Sequence, residues 1–172
     1  MKKLVLVLAI FVLVSSMEAR VTKWRRSTLD IEPRMSFYTD FDDTQFGLGG
    51  DVIFNPFKRI GVRVEFAELV FDGGTFFFLN NGILKAMPKL DVLIYMAGRQ
   101  IQPYIHTGFG LVTGEGATYL IFGGGVGADL YVNPKMAFNF EPGLYFRHAS
   151  NGVSDSDLLM RLSVGMKFGI LP

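Results

Sequence analysis

His148 and Ser150 stand two residues apart in the stretch Phe146-Arg147-His148-Ala149-Ser150-Asn151-Gly152. Side chains on an extended strand alternate between faces, so residues i and i+2 share a face. An imidazole beside a hydroxyl is the arrangement by which a general base activates a serine nucleophile. The plainer reading is a strand that turns polar as it runs out into a loop. Two other stretches invite chemistry and lose it in context. Phe122-Gly123-Gly124-Gly125-Val126-Gly127 has the glycine density of a phosphate-binding loop. It lacks the strand-to-helix setting and a following Lys-Ser/Thr, so it reads as a glycine-lined strand. His106 reads as an interior histidine. The 172 residues contain no cysteine, which removes thiolate nucleophiles, disulfides and Cys-based zinc sites. No metal or cofactor is implied.

The elements that carry these residues follow from where the apolar residues fall. Hydrophobic residues make up 49% of the chain and charged ones 19%, with 20 Gly and 17 Phe, which excludes a disordered chain. A net charge of +1 without a clustered Lys/Arg face gives no reason to expect nucleic acid. Mean hydropathy is +0.31, yet no stretch reaches the roughly 18 to 20 apolar residues of a membrane-spanning helix. The apolar residues occupy every second position instead. Eight such segments are predicted: Thr28–Tyr38, Gln45–Phe54, Ile60–Phe71, a fourth within about Leu84–Ala97, Ile101–Val112, Tyr119–Val132, Met136–Ala149 and about Asp157–Leu171. Short turns follow the second, fourth and sixth segments at Asn55-Pro56, Gly98-Arg99-Gln100 and Asn133-Pro134. Longer polar or Gly-rich links follow the odd ones at Thr39–Thr44, Asp72–Ile83, Thr113–Ala117 and Asn151–Ser156.

Charge placement decides what kind of barrel these segments build. One face carries Asp30, Glu32, Arg34, Asp51, Arg63, Glu65, Lys89, Asp91, Asp129, Glu141, Arg147, Arg161 and Lys167, shared with many glycines. Small residues and opposed charges suit a narrow lumen, where they pair and fill space. A soluble barrel would reverse the two faces. The expected fold is therefore an all-β, eight-stranded antiparallel up-and-down transmembrane β-barrel of the outer membrane, with a packed interior rather than a pore. A basic start, the apolar run Leu4–Val14 and the small residues around Ser16 and Ala19 read as a signal peptide over residues 1–19, with cleavage after Ala19 or Ser16. The barrel then spans 20–172. Phe76-Phe77-Phe78 is expected in the second long link as an interfacial aromatic girdle, or as a contact to lipid substrate. Lys23-Trp24-Arg25-Arg26 is expected as a periplasmic or interfacial lead-in.

Parity sets Met136, Phe138, Phe140, Pro142, Leu144 and Phe146 on the lipid face of the seventh segment, and His148 and Ser150 continue it at the extracellular end. Here Phe146–Gly152 resembles the His-x-Ser-Asn signature of the outer-membrane lipid A 3-O-deacylases (PagL type). The resemblance implies an eight-stranded barrel with an exposed esterase site near the outer membrane interface. It makes Ser150 the nucleophile, His148 the general base and Asn151 an oxyanion or positioning residue, with lipopolysaccharide as substrate and no cofactor. The family's third residue is an acid just after the last long link. Lipid-face parity reaches Ser156 there, with Asp155 and Asp157 to either side, so a small bulge is needed to turn one of them toward His148. Asp157, bordering the strand, is the favoured acid and Asp155 the alternative. The rival reading is a non-catalytic barrel of the OmpA or OmpX kind. A ligand-carrying barrel is disfavoured by the filled lumen, and a homodimer is left open.

Overall fold

The computed structural model describes residues 27–39, 44–72, 75–81, 89–98, 100–114, 117–149 and 156–171. The expected signal peptide and the lead-in around Trp24 lie outside the described residues. Among the described residues nine strands follow in chain order: β1 (Leu29–Thr39), β2 (Thr44–Phe57), β3 (Ile60–Asp72), β4 (Thr75–Asn81), β5 (Lys89–Tyr95), β6 (Ile101–Gly114), β7 (Ala117–Asn133), β8 (Met136–Ala149) and β9 (Ser156–Leu171). All pair antiparallel with their neighbours, and β1 pairs with both β2 and β9, closing the sheet into a barrel. The nine strands make eight staves. The first half of β3 pairs with β5 and its second half with β4, so β4 and β5 share one stave.

Closure follows from the solvent. A backbone N–H or C=O facing hydrocarbon has no water to bond, so a sheet crosses a bilayer only when its edges are joined. The side chains sort by the same logic. Along β1, Ile31, Met35 and Phe37 lie 40 to 46% exposed on the outside, while Glu32, Arg34, Ser36 and Tyr38 are buried within. The two-residue period of the strand alone produces that division. An apolar exterior around a charged interior is the inverse of a soluble barrel and is the signature of an outer-membrane one.

Three expectations are corrected by the strands. The link from Asp72 to about Ile83 holds a strand over its described part: β4 pairs with β3, Phe71 with Phe76, Val70 with Phe77 and Leu69 with Phe78. The triple phenylalanine therefore belongs to a strand of the wall. Likewise the link Thr113–Ala117 is mostly strand, since β6 and β7 stay paired out to Gly114 and Ala117. Finally, β3 carries a bulge: Gly50 pairs with Ala67 and Asp51 with Glu65, leaving Phe66 as the extra residue. Inward parity shifts by one there, and Glu68, absent from the expected lumen set, is fully buried inside. Arg147, expected inside, is only half-buried.

Candidate functional site

β8 is the element that positions the candidate histidine. Its odd residues Ala137, Asn139, Glu141 and Tyr145 are buried, and its even residues Phe138, Phe140, Leu144 and Phe146 are about half exposed. His148 continues the even series and is exposed. Its backbone sits opposite Leu120 of β7 on one side and Ser156 of β9 on the other. Leu120 and Leu158 are outward-facing. Phe146, on the same face two residues before His148, stacks on Phe122 with ring centroids 5.4 Å apart and an interplanar angle of 19°. The imidazole thus stands at the extracellular edge of an apolar, aromatic wall.

Ser150, Asn151 and Asp155 lie outside the described residues. Asp157 lies in β9, at the register position opposite Arg147. The β8–β9 register runs without a shift from Met136↔Phe168 to His148↔Ser156. Ser156 is therefore the residue in phase with His148, as strand parity predicts, and Asp157 is one residue out of phase.

The lumen holds the other concentration of polar chemistry. Arg63 donates to Asp91 Oδ2 from Nε at 2.9 Å and from Nη2 at 2.7 Å, and to Glu141 at 2.6 and 3.0 Å. Arg161 reaches the same Glu141 at 2.8 Å, Glu65 at 3.0 Å and the Tyr145 hydroxyl at 2.7 Å. Lys89 bridges Glu65 and Asp91, each at 3.0 Å. Arg34 binds Asp51, Glu65 and Glu68. His106 is buried beside this cluster, Nε2 3.5 Å from Glu141 and Nδ1 3.4 Å from Arg63. A second layer toward the chain termini joins Lys167 and Asn139 to Asp129 at 2.7 Å each, and the Tyr104 hydroxyl links it to Glu141 at 2.6 Å.

These groups form a filled interior. Among the described residues, Arg34, Arg63, Arg161, Lys89 and Lys167 are each held by carboxylates from other staves. Among the described residues no cluster has the ligand set of a metal site. The glycines of β7 fit the same account: a Cβ at Gly127 would lie 2.3 Å from the Tyr104 ring, so the phenol occupies the room a side chain would need. Sequence parity had found most of this network. It missed Glu68, hidden by the bulge, and the part played by Tyr145, whose ring lies 4.5 Å from Lys89 Nζ and 4.7 Å from Arg161 Cζ.

Comparison with known proteins shows the fold. No family model and no curated protein matches the chain. A de novo designed transmembrane β-barrel aligns over 87% of this chain and all of its own at a TM-score of 0.55 and 15% identity. The N-terminal β-barrel domain of Pseudomonas aeruginosa OprF aligns over 83% of this chain and 98% of its own, at 0.55 and 14%. Neisserial surface protein A aligns over 83% and 96%, at 0.58 and 11%. With its apolar exterior and charged lumen, the chain is an eight-stranded outer-membrane β-barrel. At these identities the likeness speaks for architecture and leaves activity to the residues themselves.

Proposed function

We propose that the protein is an outer-membrane esterase, similar to lipid A 3-O-deacylases, that hydrolyses an ester-linked acyl chain of lipopolysaccharide at the outer face of the barrel. The observation that carries the reading is an exposed imidazole, His148, on the lipid-facing side of β8 at its extracellular end, followed two residues later by Ser150. A polar ionisable residue on a lipid-facing wall is costly and serves best where it meets a substrate. The aromatic surface of Phe122 and Phe146 beside it suits acyl chains.

In this reading His148 takes the Ser150 hydroxyl proton as Oγ bonds to the ester carbonyl carbon. Asn151 donates a hydrogen bond to the developing oxyanion. The carbon–oxygen bond to the sugar then breaks and its oxygen leaves with the proton from His148. Water, deprotonated by the same imidazole, releases the fatty acid and restores Ser150. Asp157 or Asp155 orients the histidine; the regular β8–β9 register asks for a local bulge before Asp157 can do so. The test is mass spectrometry of lipid A exposed to purified wild-type protein. Loss of one 3-hydroxy fatty acid is expected, with no loss under Ser150→Ala. Unchanged lipid A across several lipid A types would refute the reading.

A second reading has its own support: a non-catalytic structural or adhesion barrel of the OmpA or OmpX kind. It is favoured by the charge-filled lumen and by a fold shared with OprF and Neisserial surface protein A. That reading expects unaltered lipid A and weakened envelope integrity when the protein is absent.

A further inference from the structure

We propose that the end of the barrel opposite the candidate site binds anionic phospholipid headgroups of the inner leaflet through a ring of basic residues carried on its short turns. Both described chain ends and the short turns lie together there. The Thr28 N–H donates to the Leu171 carbonyl and the Asn55 N–H to the Thr28 carbonyl, each at 2.8 Å. Short turns mark the periplasmic end of such a barrel. Lys58 and Arg59 form the β2–β3 turn and Lys135 lies in the β7–β8 turn, all three exposed.

Hydrogen bonds fix the backbone of the turns that carry these residues. The Arg59 carbonyl accepts from the Tyr95 N–H at 2.8 Å and the Lys135 carbonyl from the Gly169 N–H at 2.7 Å. The Lys135 N–H in turn donates to the Asn133 side chain at 2.8 Å. Each turn also adjoins the lipid belt: Phe57, at 67% exposure, precedes Lys58, and Val132, at 52%, lies just ahead of Lys135. The basic groups therefore sit where hydrocarbon gives way to headgroups, the depth at which phosphate is found.

Charge is one-sided at this end. Its acids among the described residues, Asp30 and Asp129, are buried in the lumen and bonded to Asn55 and to Lys167 with Asn139. No acid among the described residues is exposed at this rim. By chain order the opposite links carry Asp40, Asp42, Asp43, Glu115 and Asp155 against the base Lys85, so acids predominate at that end and bases at this one. Geometry selects the partner. In the closed strand order the β2–β3 and β7–β8 turns lie half the circumference apart. A membrane plane meets groups on opposite sides of a barrel at once, whereas a single peptide does not.

The experiment uses the full mature chain reconstituted in phosphatidylethanolamine vesicles with a minority of phosphatidylglycerol, then extracted in polymer discs with its surrounding lipid. Phosphatidylglycerol is expected to be enriched about threefold or more over the bulk ratio at low salt, and to return to the bulk ratio at high salt. The variant Lys58→Gln/Arg59→Gln/Lys135→Gln is expected at the bulk ratio. The charge-keeping exchange Lys58→Arg/Arg59→Lys/Lys135→Arg should retain the enrichment. Folding of each variant is followed by the heat-dependent gel mobility of the barrel. A bulk ratio around the folded wild type, or enrichment that survives the Gln variant, overturns the proposal. Neither result bears on the esterase, whose residues lie at the other end.

Discussion

The middle of the lumen and the outer end of β8 treat polar side chains in opposite ways. Arg63 lies among Asp91, Glu141 and Asp51, with its neighbours bound in turn by Lys89 and Arg161. His148 stands instead on an apolar wall beside Leu120, Phe146 and Leu158. In the first region Arg63, Arg161 and Lys89 each bind two or more groups, which fixes them from several staves at once. In the second, the imidazole stands among apolar side chains on the lipid-facing wall. The difference teaches where to look for function: the lumen charges neutralise one another inside the barrel, and an ionisable group on the outer wall faces lipid, where a lipid substrate would approach.

Substitutions should separate the two regions cleanly. Ser150→Ala is expected to lower deacylation by roughly ten-thousandfold or more, because removal of a nucleophile takes most of the activity of such a site. The urea midpoint should not move. Lipid A turnover measured beside gel mobility tests both halves; a stability loss equal to that of a lumen variant would break the distinction. Arg63→Met should do the reverse. It leaves Asp91 and Glu141 buried with fewer partners, and breaking such a cluster costs about 3 to 5 kcal/mol. A lowered urea midpoint with normal turnover per folded molecule is the expected result. The double change Arg63→Met/Asp91→Leu should recover part of the loss, since it removes a stranded carboxylate together with its cation.

Much of the fold was legible because alternation of period two survives through most of the wall, and a lipid solvent makes that alternation strict. Twelve of the thirteen charged residues assigned to the lumen by parity are buried there, and Arg147 is half-buried. What parity could not show was a change of phase. The bulge at Phe66 turns Glu68 inward, and no residue type near it announces the extra position. The stave shared by β4 and β5 was hidden for another reason. Gly73-Gly74 marks a tight turn in sequence, yet Phe76-Phe77-Phe78 lacks alternation, so a paired strand resembled a loop. His148 was legible in full, being two steps along an unbroken series from Phe146. The acid was not, because its role depends on a bulge that pattern alone neither requires nor forbids.

Smaller effects probe how tightly each region is built. Gly127→Ala should destabilise by about 1 to 3 kcal/mol, the usual cost of forcing volume into a packed interior. The added methyl meets the Tyr104 ring, whose hydroxyl bonds Glu141 and Asn139, so the lumen must shift to admit it. Combining it with Tyr104→Phe should give less than the sum of the two single losses, because both act on one phenol. Additive losses, read from urea midpoints, would mean that the glycine answers to something else.

Asp157→Asn should have the smallest effect, and it sharpens the comparison most at the candidate site. Its backbone lies opposite Arg147 in a regular register, out of phase with His148. A substitution at the end of a strand, away from the packed lumen, usually changes stability by about 0.5 kcal/mol or less, so the urea midpoint should barely change. Deacylation should fall by no more than about threefold if the strand keeps that register, since Asp157 is then out of phase with His148. A hundredfold fall with an unchanged midpoint would show instead that β9 bulges at its first residues and turns Asp157 to the histidine. Asp155→Asn, measured beside it, distinguishes a missing acid from one supplied by the preceding link. If neither substitution matters while Ser150→Ala does, His148 works as a base without a carboxylate, oriented by the wall of β8 itself.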